Sequence, residues 1–330
     1  MASKFKVLFI LVAAVVVGCR KDDSGPSTPD AVTEGLFVLN EGSWNAGNAS
    51  LDYYDYGTKS YSKDIYAAAN SGAKLGDVGQ EVAVYEGKIF LVVNGSNLIE
   101  VLDLNTLKSI RKIQTIQQPR DIVFYQNKAF VTSYDDHVHV VDLTTFNVQK
   151  QIPVGRDPEQ MVIVGNKLYV ANSGGLDATF DRTISVIDLT TLTEIKKIDV
   201  DVNLGPIAAD QYGDLYVISQ GRDWGTYIPS ALYVIDTQSE TVKKKFDFEA
   251  SSIAIAGDNA YLYSYSYTTQ KITYIQLNVK DETVITDTFI DGSVINRPYA
   301  ITVDPVTNDV YIADAKDFNN PGEVFCFNGA

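Results

Sequence analysis

The sequence predicts an all-β fold, a seven-bladed β-propeller made of four-stranded antiparallel blades. Three observations support this prediction: one phrase recurs seven times, short strand patterns joined by tight-turn signals fill each repeat, and no long helical periodicity interrupts them. The 20 tyrosines among 330 residues point the same way, because aromatic and β-branched residues favour strands. Repeats of about 40–50 residues with four strands each are typical of propellers.

The recurring phrase is an apolar strand that ends in Asp and is followed by a polar turn containing Thr. Its seven copies are anchored at Asp55, Asp103, Asp142, Asp188, Asp236, Gln276 and Asn328. Successive anchors are 48, 39, 46, 48, 40 and 52 residues apart. This spacing predicts that the anchor ends the third strand of each blade and that a Lys-rich outer strand follows it.

Another strand pattern precedes most anchors, as in Phe90–Asn94, Tyr169–Asn172 and Tyr311–Asp314. Tight turns such as Glu86–Lys88 and Gly165–Lys167 join it to an earlier apolar strand, which is typical of β-hairpins. One blade cannot bury both of its faces, so stacking the blades in a ring is favoured over a β-sandwich, which is the alternative.

The two repeats that close the ring are incomplete. The first begins at its second strand, Leu36–Asn40, and the last stops after its third strand, at Asn328. We therefore predict a propeller domain over residues 36–330 whose closing blades are incomplete at the C-terminus, with roughly 20–25 residues missing. A ring with an open seam is the alternative.

Residues 1–18 are predicted to be a lipoprotein signal peptide. Lys4 and Lys6 precede a 12-residue apolar run that is too short to span a bilayer, and the run ends at Gly18-Cys19. The pattern predicts cleavage before Cys19 and lipidation of its thiol. Residues 19–35 then form the lipidated cysteine and a polar, flexible tether, and Cys326 is predicted to be a buried free thiol.

The charge of the chain excludes two classes of function. Lys and Arg total 27 and Asp and Glu total 42, which gives a net charge of −15. Nucleic-acid binders need a basic face, and so do proteins that dock electrostatically on anionic membranes. The predicted contact with a membrane is therefore the lipid anchor alone.

The strand phrases, with Pro119-Arg-Asp-Ile and Tyr169-Val-Ala-Asn among them, resemble those of YncE-like propellers. The opening Leu39–Asn45, the Cys19 region and the following Lys21-Asp22-Asp23 resemble propeller lipoproteins of Bacteroides-type bacteria, some of which capture vitamin B12 and other corrinoids. The resemblance implies a monomer anchored in the outer membrane, facing the cell exterior. It also implies a corrinoid held as ligand, without a cofactor, and delivery to a TonB-dependent outer-membrane transporter.

The candidate site is the propeller face that carries the longer loops. Aromatic rings beside Arg and amide groups suit a large ligand with apolar faces and polar edges. The predicted ligand-binding residues are Trp44, Asn45, Asn94, Arg120, Tyr134, Arg156, Asn172, Phe180, Arg222, Trp224, Tyr227, Tyr265, Arg297 and Tyr299. A surface glycan or a protein is the alternative ligand, and packing of the loops is the structural alternative for each residue.

The sequence offers little support for catalysis, so we predict a protein that is not an enzyme. The two histidines, His137 and His139, lie in one strand without a nearby cysteine, and a packed pair is favoured over a metal site. A Ca²⁺-dependent hydrolase or lyase is a lesser alternative, with oxygen ligands from the channel residues Glu41, Glu81, Asp121 and Asp314.

Overall fold

The computed structural model describes residues 35–222, 225–266 and 269–329, together with the backbone of residues 3–6 and 11–12. The described residues form seven antiparallel sheets of four strands each. The inner strands of neighbouring sheets contact one another around a closed ring. The predicted seven-bladed β-propeller is confirmed.

The first four blades follow the chain from its start. Blade 1 contains β2 (Leu11–Val12), β3 (Gly35–Asn40), β4 (Ser50–Asp55) and β5 (Tyr61–Ser62). Blade 2 contains β6 (Gly79–Tyr85), β7 (Lys88–Val93), β8 (Leu98–Asp103) and β9 (Ser109–Ile113). Blade 3 contains β10 (Pro119–Tyr125), β11 (Lys128–Ser133), β12 (His137–Asp142) and β13 (Val148–Pro153). Blade 4 contains β14 (Pro158–Val164), β15 (Lys167–Asn172), β16 (Thr183–Asp188) and β17 (Thr193–Asp199).

The remaining three blades complete the ring. Blade 5 contains β18 (Leu204–Ala209), β19 (Asp214–Ser219), β20 (Ala231–Asp236) and β21 (Thr241–Lys245). Blade 6 contains β22 (Ser252–Ala256), β23 (Asn259–Tyr265), β24 (Ile272–Asn278) and β25 (Thr283–Thr286). Blade 7 contains β26 (Pro298–Val303), β27 (Val310–Asp314), β28 (Glu323–Phe327) and β1 (Ser3–Lys6). Helix α1 (Ile65–Ala69) and two 3-10 helices, Asn94–Ser96 and Gly292–Val294, lie in the connections.

The recurring Asp of the sequence phrase fixes the turn into the outer strand. One oxygen of Asp142 accepts the backbone N–H groups of Thr144 at 3.1 Å and Thr145 at 2.8 Å, and also the Thr145 hydroxyl at 3.0 Å. The segments 103–106 and 188–191 repeat this arrangement. Hydrogen bonds from Thr145 lower the pKa of Asp142. The phrase is therefore a turn that the side chain of its first residue closes.

The core lies between the blades. Phe130 and Val140 of blade 3 pack against Leu168 and Val170 of blade 4, and all four side chains are completely buried. Similar clusters occur at the other blade interfaces of the described structure. Stacking therefore buries the apolar face that each sheet would otherwise expose, which is the physical reason for the ring.

Residues 35–329 contribute three strands to blade 1 and three to blade 7. Residues 11–12 pair with β3, with Leu11 opposite Leu39, and occupy the inner position of blade 1. Residues 3–6 pair with β28, with Ser3 opposite Cys326, and occupy the outer position of blade 7. Both segments lie within the predicted signal peptide, so its removal would leave edges of β3 and β28 unpaired.

Two details differ from the sequence-based expectations. Helix α1 was not expected from the sequence; it begins after Asp64, whose side chain accepts the Ala67 N–H at 3.2 Å. Ile65 and Tyr66 of this helix are buried. Cys326 is a free thiol, but it is half-buried rather than buried, and burial raises its pKa. None of the helices in the described part of the chain has the length and apolar character needed to cross a lipid bilayer.

Candidate functional site

The longer loops and the connections between blades lie together on one face of the ring. Backbone hydrogen bonds join them: the N–H of Ser173 donates to the carbonyl of Asp157 at 3.2 Å, and the N–H of Gln220 donates to that of Asn203 at 2.9 Å. The inner strands begin on this face. Loop side chains and the central channel therefore meet at one surface, which we call the loop face.

At the centre of the loop face the inner strands enclose a polar cavity of about 210 Å³, the channel mouth. Arg120 donates from Nε and Nη2 to Glu159 at 3.0 and 2.7 Å and from Nη1 to Gln80. Its guanidinium carbon lies 4.8 Å from the ring centroid of Tyr134, whose hydroxyl also donates to Glu159. The residues that line the channel mouth are Gln80, Glu81, Arg120, Asp121, Glu159, Gln160, Gly205, Pro206, Gln220, Ser251, Ser252, Ile253, Tyr263, Tyr299, Ala300 and Ile301.

Three carboxyl groups in and beside the channel mouth hold their protons more tightly than usual. Burial raises the pKa of Asp121 to about 6. Burial also raises the pKa of Glu81, and the neighbouring Asp121 charge adds to this effect. The pKa of Glu41 is raised by burial, although a hydrogen bond from the Tyr299 hydroxyl opposes the change. Burial away from bulk water disfavours the charged forms of these carboxyl groups.

A second cavity of about 290 Å³, the tyrosine groove, opens beside the channel mouth between blades 5, 6 and 7. The Tyr227 hydroxyl donates to Glu249 at 2.6 Å across the groove rim, and this bond raises the pKa of Tyr227. The residues that line the groove are Asn203, Gln220, Gly221, Arg222, Tyr227, Ile228, Ser230, Glu249, Ala250, Ser251, Tyr263, Tyr265, Ser266, Pro298 and Tyr299. Gln220, Ser251, Tyr263 and Tyr299 line both cavities, so the two adjoin.

A larger depression of about 900 Å³ lies beyond the Tyr227–Glu249 bond, along the outer part of blade 6. It includes Phe248 and the half-exposed outer-strand residues Val284 and Ile285. Tyr227, Glu249 and Ser266 line both this depression and the tyrosine groove, so the three cavities lie side by side from the channel mouth to the outer part of blade 6.

Comparison with known proteins places this architecture in a family. The model of a domain of unknown function, DUF5074, matches residues 34–326. The chain belongs to the DUF5074 family. No curated protein matches the sequence at a significant level.

Solved structures share the fold with this DUF5074 protein. The β-propeller domain of Cps50 (Swd1) from Myceliophteria thermophila is 10% identical, with a TM-score of 0.69 over 100% of both chains. The hydrazine synthase of Kuenenia stuttgartiensis is 20% identical, with a TM-score of 0.56 over 68% of this chain and 70% of that one. At these identities the likeness concerns the fold alone.

The structure gathers six of the predicted binding residues around the two central cavities. Arg222, Tyr227, Tyr265 and Tyr299 line the tyrosine groove, Arg120 lines the channel mouth, and Tyr134 packs on Arg120. Arg297 lies at the groove edge, where its guanidinium carbon is 5.7 Å from the ring centroid of Tyr265 and 5.0 Å from that of Phe318.

Three other predicted residues are engaged with the protein itself. Asn94 is buried and donates to the carbonyl of Pro119 at 3.1 Å. Asn172 is fully buried and donates to the Ser185 hydroxyl at 3.0 Å. Arg156 binds Asp177 at 2.6 Å in an exposed ion pair. In this DUF5074 protein these contacts hold the loops in place.

The last predicted residues lie on the outer loops. Trp44 is 67% exposed in the loop between β3 and β4, and the N–H of Asn45 donates to Asp77 at 2.9 Å. Phe180 provides a carbonyl oxygen that accepts from Arg156 at 3.0 Å. Trp224 and Cys19 lie outside the described residues.

Sequence reasoning missed several groups that line the site. Glu249 and Ser251 come from the connection between blades 5 and 6, which no repeat signal marks. Tyr263 comes from a β-strand whose alternation predicts only that its side chain faces a neighbouring blade. Gln220 directly follows β19, at the start of a long loop. Of these residues, it is the one whose position in the sequence could have indicated that it lines the site.

Three of the candidate metal ligands, His137, His139 and Asp314, form hydrogen bonds within the protein. The ring of His139 lies 2.9 Å from the Asp135 carboxylate, and Nδ1 of His137 lies 2.6 Å from the Asp135 carbonyl. Asp314 accepts backbone N–H groups. Within residues 35–222, 225–266 and 269–329, no group of three or more His, Cys, Asp or Glu side chains is arranged to hold a metal ion.

Proposed function

We propose that this DUF5074 protein is a non-catalytic binding propeller that captures a corrinoid of the vitamin B12 type on its loop face. The observation that carries the proposal is that the tyrosine groove adjoins the polar channel mouth. Tyrosine rings offer rigid contact area with a polar tip, and Arg222 and the amides of Asn203 and Gln220 in the groove lining offer hydrogen bonds. A corrinoid combines apolar ring faces with an amide fringe and a nucleotide phosphate.

The size of the cavities favours a ligand that lies across the face. A volume of about 290 Å³ is at the lower end of ordinary small-molecule sites, which span about 300–1,000 Å³. The groove therefore takes one edge of a large ligand, and the remainder extends over the channel mouth. The loop that carries Trp44 begins at Glu41, which binds Tyr299 of the groove, so this aromatic side chain belongs to the same face.

The cellular part of the proposal depends on the first residues of the sequence. Lipidation at Cys19 and a tether through residue 35 anchor the propeller to the outer membrane, on the exterior surface. The bound corrinoid then passes to a TonB-dependent outer-membrane transporter. The Bacteroides-type Lys21-Asp22-Asp23 sequence supports this arrangement, and the net charge of −15 disfavours direct docking on an anionic membrane.

The test is gel filtration of the purified protein with cyanocobalamin, monitored at the corrin absorbance. Tyr227 is 52% exposed and its hydroxyl donates to Glu249 at 2.6 Å. Tyr212 is 47% exposed and donates to Asp258 at 2.6 Å, but it lies on the opposite face of the ring. We expect Tyr227→Ala to weaken binding by about 30-fold, as loss of a central aromatic contact does, and Tyr212→Ala to leave it unchanged.

The outcomes separate the candidate ligands. Co-elution of one corrinoid per chain, lost selectively in Tyr227→Ala, supports the proposal. Equal effects of the two tyrosine variants overturn the placement of the site. Saturable binding of a polysaccharide without any binding of cyanocobalamin overturns the corrinoid assignment and selects a surface glycan-binding propeller.

A further inference from the structure

Arginines at the entrances of three blades have different partners. Arg120 shares its guanidinium with Glu159 and Gln80 inside the channel mouth. Arg156 binds Asp177 at 2.6 Å and the carbonyl of Thr179 at 2.8 Å. The donors of both side chains are directed at acceptors within the protein, so neither guanidinium is available to bind an external anion without breaking these contacts.

Arg297 contacts two aromatic rings instead. Its guanidinium carbon lies 5.0 Å from the ring centroid of Phe318 and 5.7 Å from that of Tyr265, and its Nε is buried without a hydrogen-bond partner. Its guanidinium forms no ion pair with any carboxylate of the described residues. The nearby Asp314 accepts the backbone N–H groups of Asn296 and Arg297 at 3.0 and 2.8 Å.

Stacking on aromatic rings fixes the plane of a guanidinium while its edge keeps N–H donors in a rigid fork. That fork matches the two oxygens of a carboxylate or phosphate, and Arg remains charged at every physiological pH. Tyr265 also lines the tyrosine groove, so the cation lies at the edge of the proposed ligand site. In a protein of net charge −15, such a cation without a carboxylate partner requires an explanation.

We propose that Arg297 binds an anionic oxygen group of the ligand, either a phosphate or a carboxylate, at the edge of the tyrosine groove. This inference rests on the proposed function, because it assumes that the groove is the binding site. For a corrinoid, the anion is the phosphate of the nucleotide loop. Arg297 then selects ligands that carry this group over those that lack it.

The test compares two ligands by isothermal titration calorimetry. Cyanocobalamin carries the nucleotide phosphate, and cobinamide has the same corrin ring without the nucleotide. We expect Arg297→Gln to weaken cyanocobalamin about 10- to 100-fold, the range for a charged hydrogen bond, and to leave cobinamide unchanged. Arg182→Gln is the matched control, because Arg182 is an exposed loop arginine paired with Asp199 at 2.8 Å.

A second variant, Arg297→Lys, and a second probe, inorganic pyrophosphate, test the role of Arg297 if the first experiment fails. Arg297→Lys keeps the charge and loses the fork, so it should show an intermediate loss if Arg297→Gln unfolds. Equal weakening of the binding of both ligands, or of neither, overturns the anion role of Arg297.

If the wild type binds no corrinoid, the proposed function fails, and inorganic pyrophosphate then tests the Arg297 site alone. Pyrophosphate binding that disappears in Arg297→Gln supports the site, whereas no binding, or binding unchanged by the substitution, overturns it.

Discussion

Replacing Asp121 by Asn should remove a contribution to the stability of the propeller that falls as the pH rises. Asp121 is buried on β10, where its two oxygens accept the N–H groups of Ile122 and Met161, both at 2.8 Å. Burial raises its pKa to about 6 from the ordinary 3.8. The Glu159 charge also disfavours its charged form, while the Arg120 charge favours it.

The sign and size of the effect follow from proton linkage. A carboxyl whose folded-state pKa is raised stabilises the protein fully below its unfolded pKa, and this stabilisation is lost as the pH rises through the folded pKa. Each pH unit between the two pKa values is worth about 1.4 kcal/mol. Protonation of Asp121 therefore contributes about 3 kcal/mol near pH 3, which is lost between about pH 4 and pH 7.

The assay is urea unfolding of wild type and Asp121→Asn at several values between pH 4 and pH 7. Asn can accept only one of the two N–H groups well, which costs about 1–3 kcal/mol at every pH. The informative quantity is therefore the change with pH: the advantage of wild type over variant should shrink by about 3 kcal/mol across this range. Asp142→Asn is the control with the opposite sign, because hydrogen bonds lower the pKa of Asp142. A difference for Asp121→Asn that stays constant, or grows, with pH would refute the reasoning.

Three further predictions concern the core, the groove and the N-terminus. Phe130→Ala should lower the free energy of unfolding by about 3–5 kcal/mol in urea titrations, because this ring is completely buried between blades; a loss below 1 kcal/mol would contradict that packing. Gly221 has φ +65°, and a Cβ there would lie 2.1 Å from the Ile228 carbonyl, so Gly221→Ala should lower the melting temperature and Gly225→Ala, with open space around it, should lower it less. The mass of the protein extracted from its own membranes should match a lipidated chain that begins at Cys19; recovery of residues 1–18 would instead support the pairing of β1 and β2.

The fold was predictable because its signals are local. Asp142 and Thr145 are three residues apart, and their hydrogen bonds help to close the turn that recurs along the chain. Blade boundaries followed from that phrase and from the hairpin turns between the first two strands. Helix α1 escaped prediction because five residues are too few to establish a helical period.

The sequence was sufficient to predict which face of the propeller carries the site, but not which side chains contact one another there. The ion pair of Arg120 with Glu159 joins residues 39 positions apart in neighbouring blades, and Tyr227 and Glu249 are 22 apart. Such contacts depend on how blades stack, which no short motif encodes. For the same reason the sequence could not show that Arg297 contacts aromatic rings whereas Arg156 forms an ion pair with a carboxylate.

The channel mouth breaks the rotational equivalence of the seven blades. Its acidic and basic side chains, Glu81, Arg120, Asp121 and Glu159, come from blades 2, 3 and 4, whereas blades 5, 6 and 7 contribute groups that carry no charge, such as Pro206, Ser252 and Ala300. A ligand on the axis of a uniform ring would have seven equivalent orientations. Here the electrostatic potential differs between the two halves of the rim. A polar ligand therefore has one preferred rotation about the propeller axis, and the same edge of the ligand faces the same blades each time it binds.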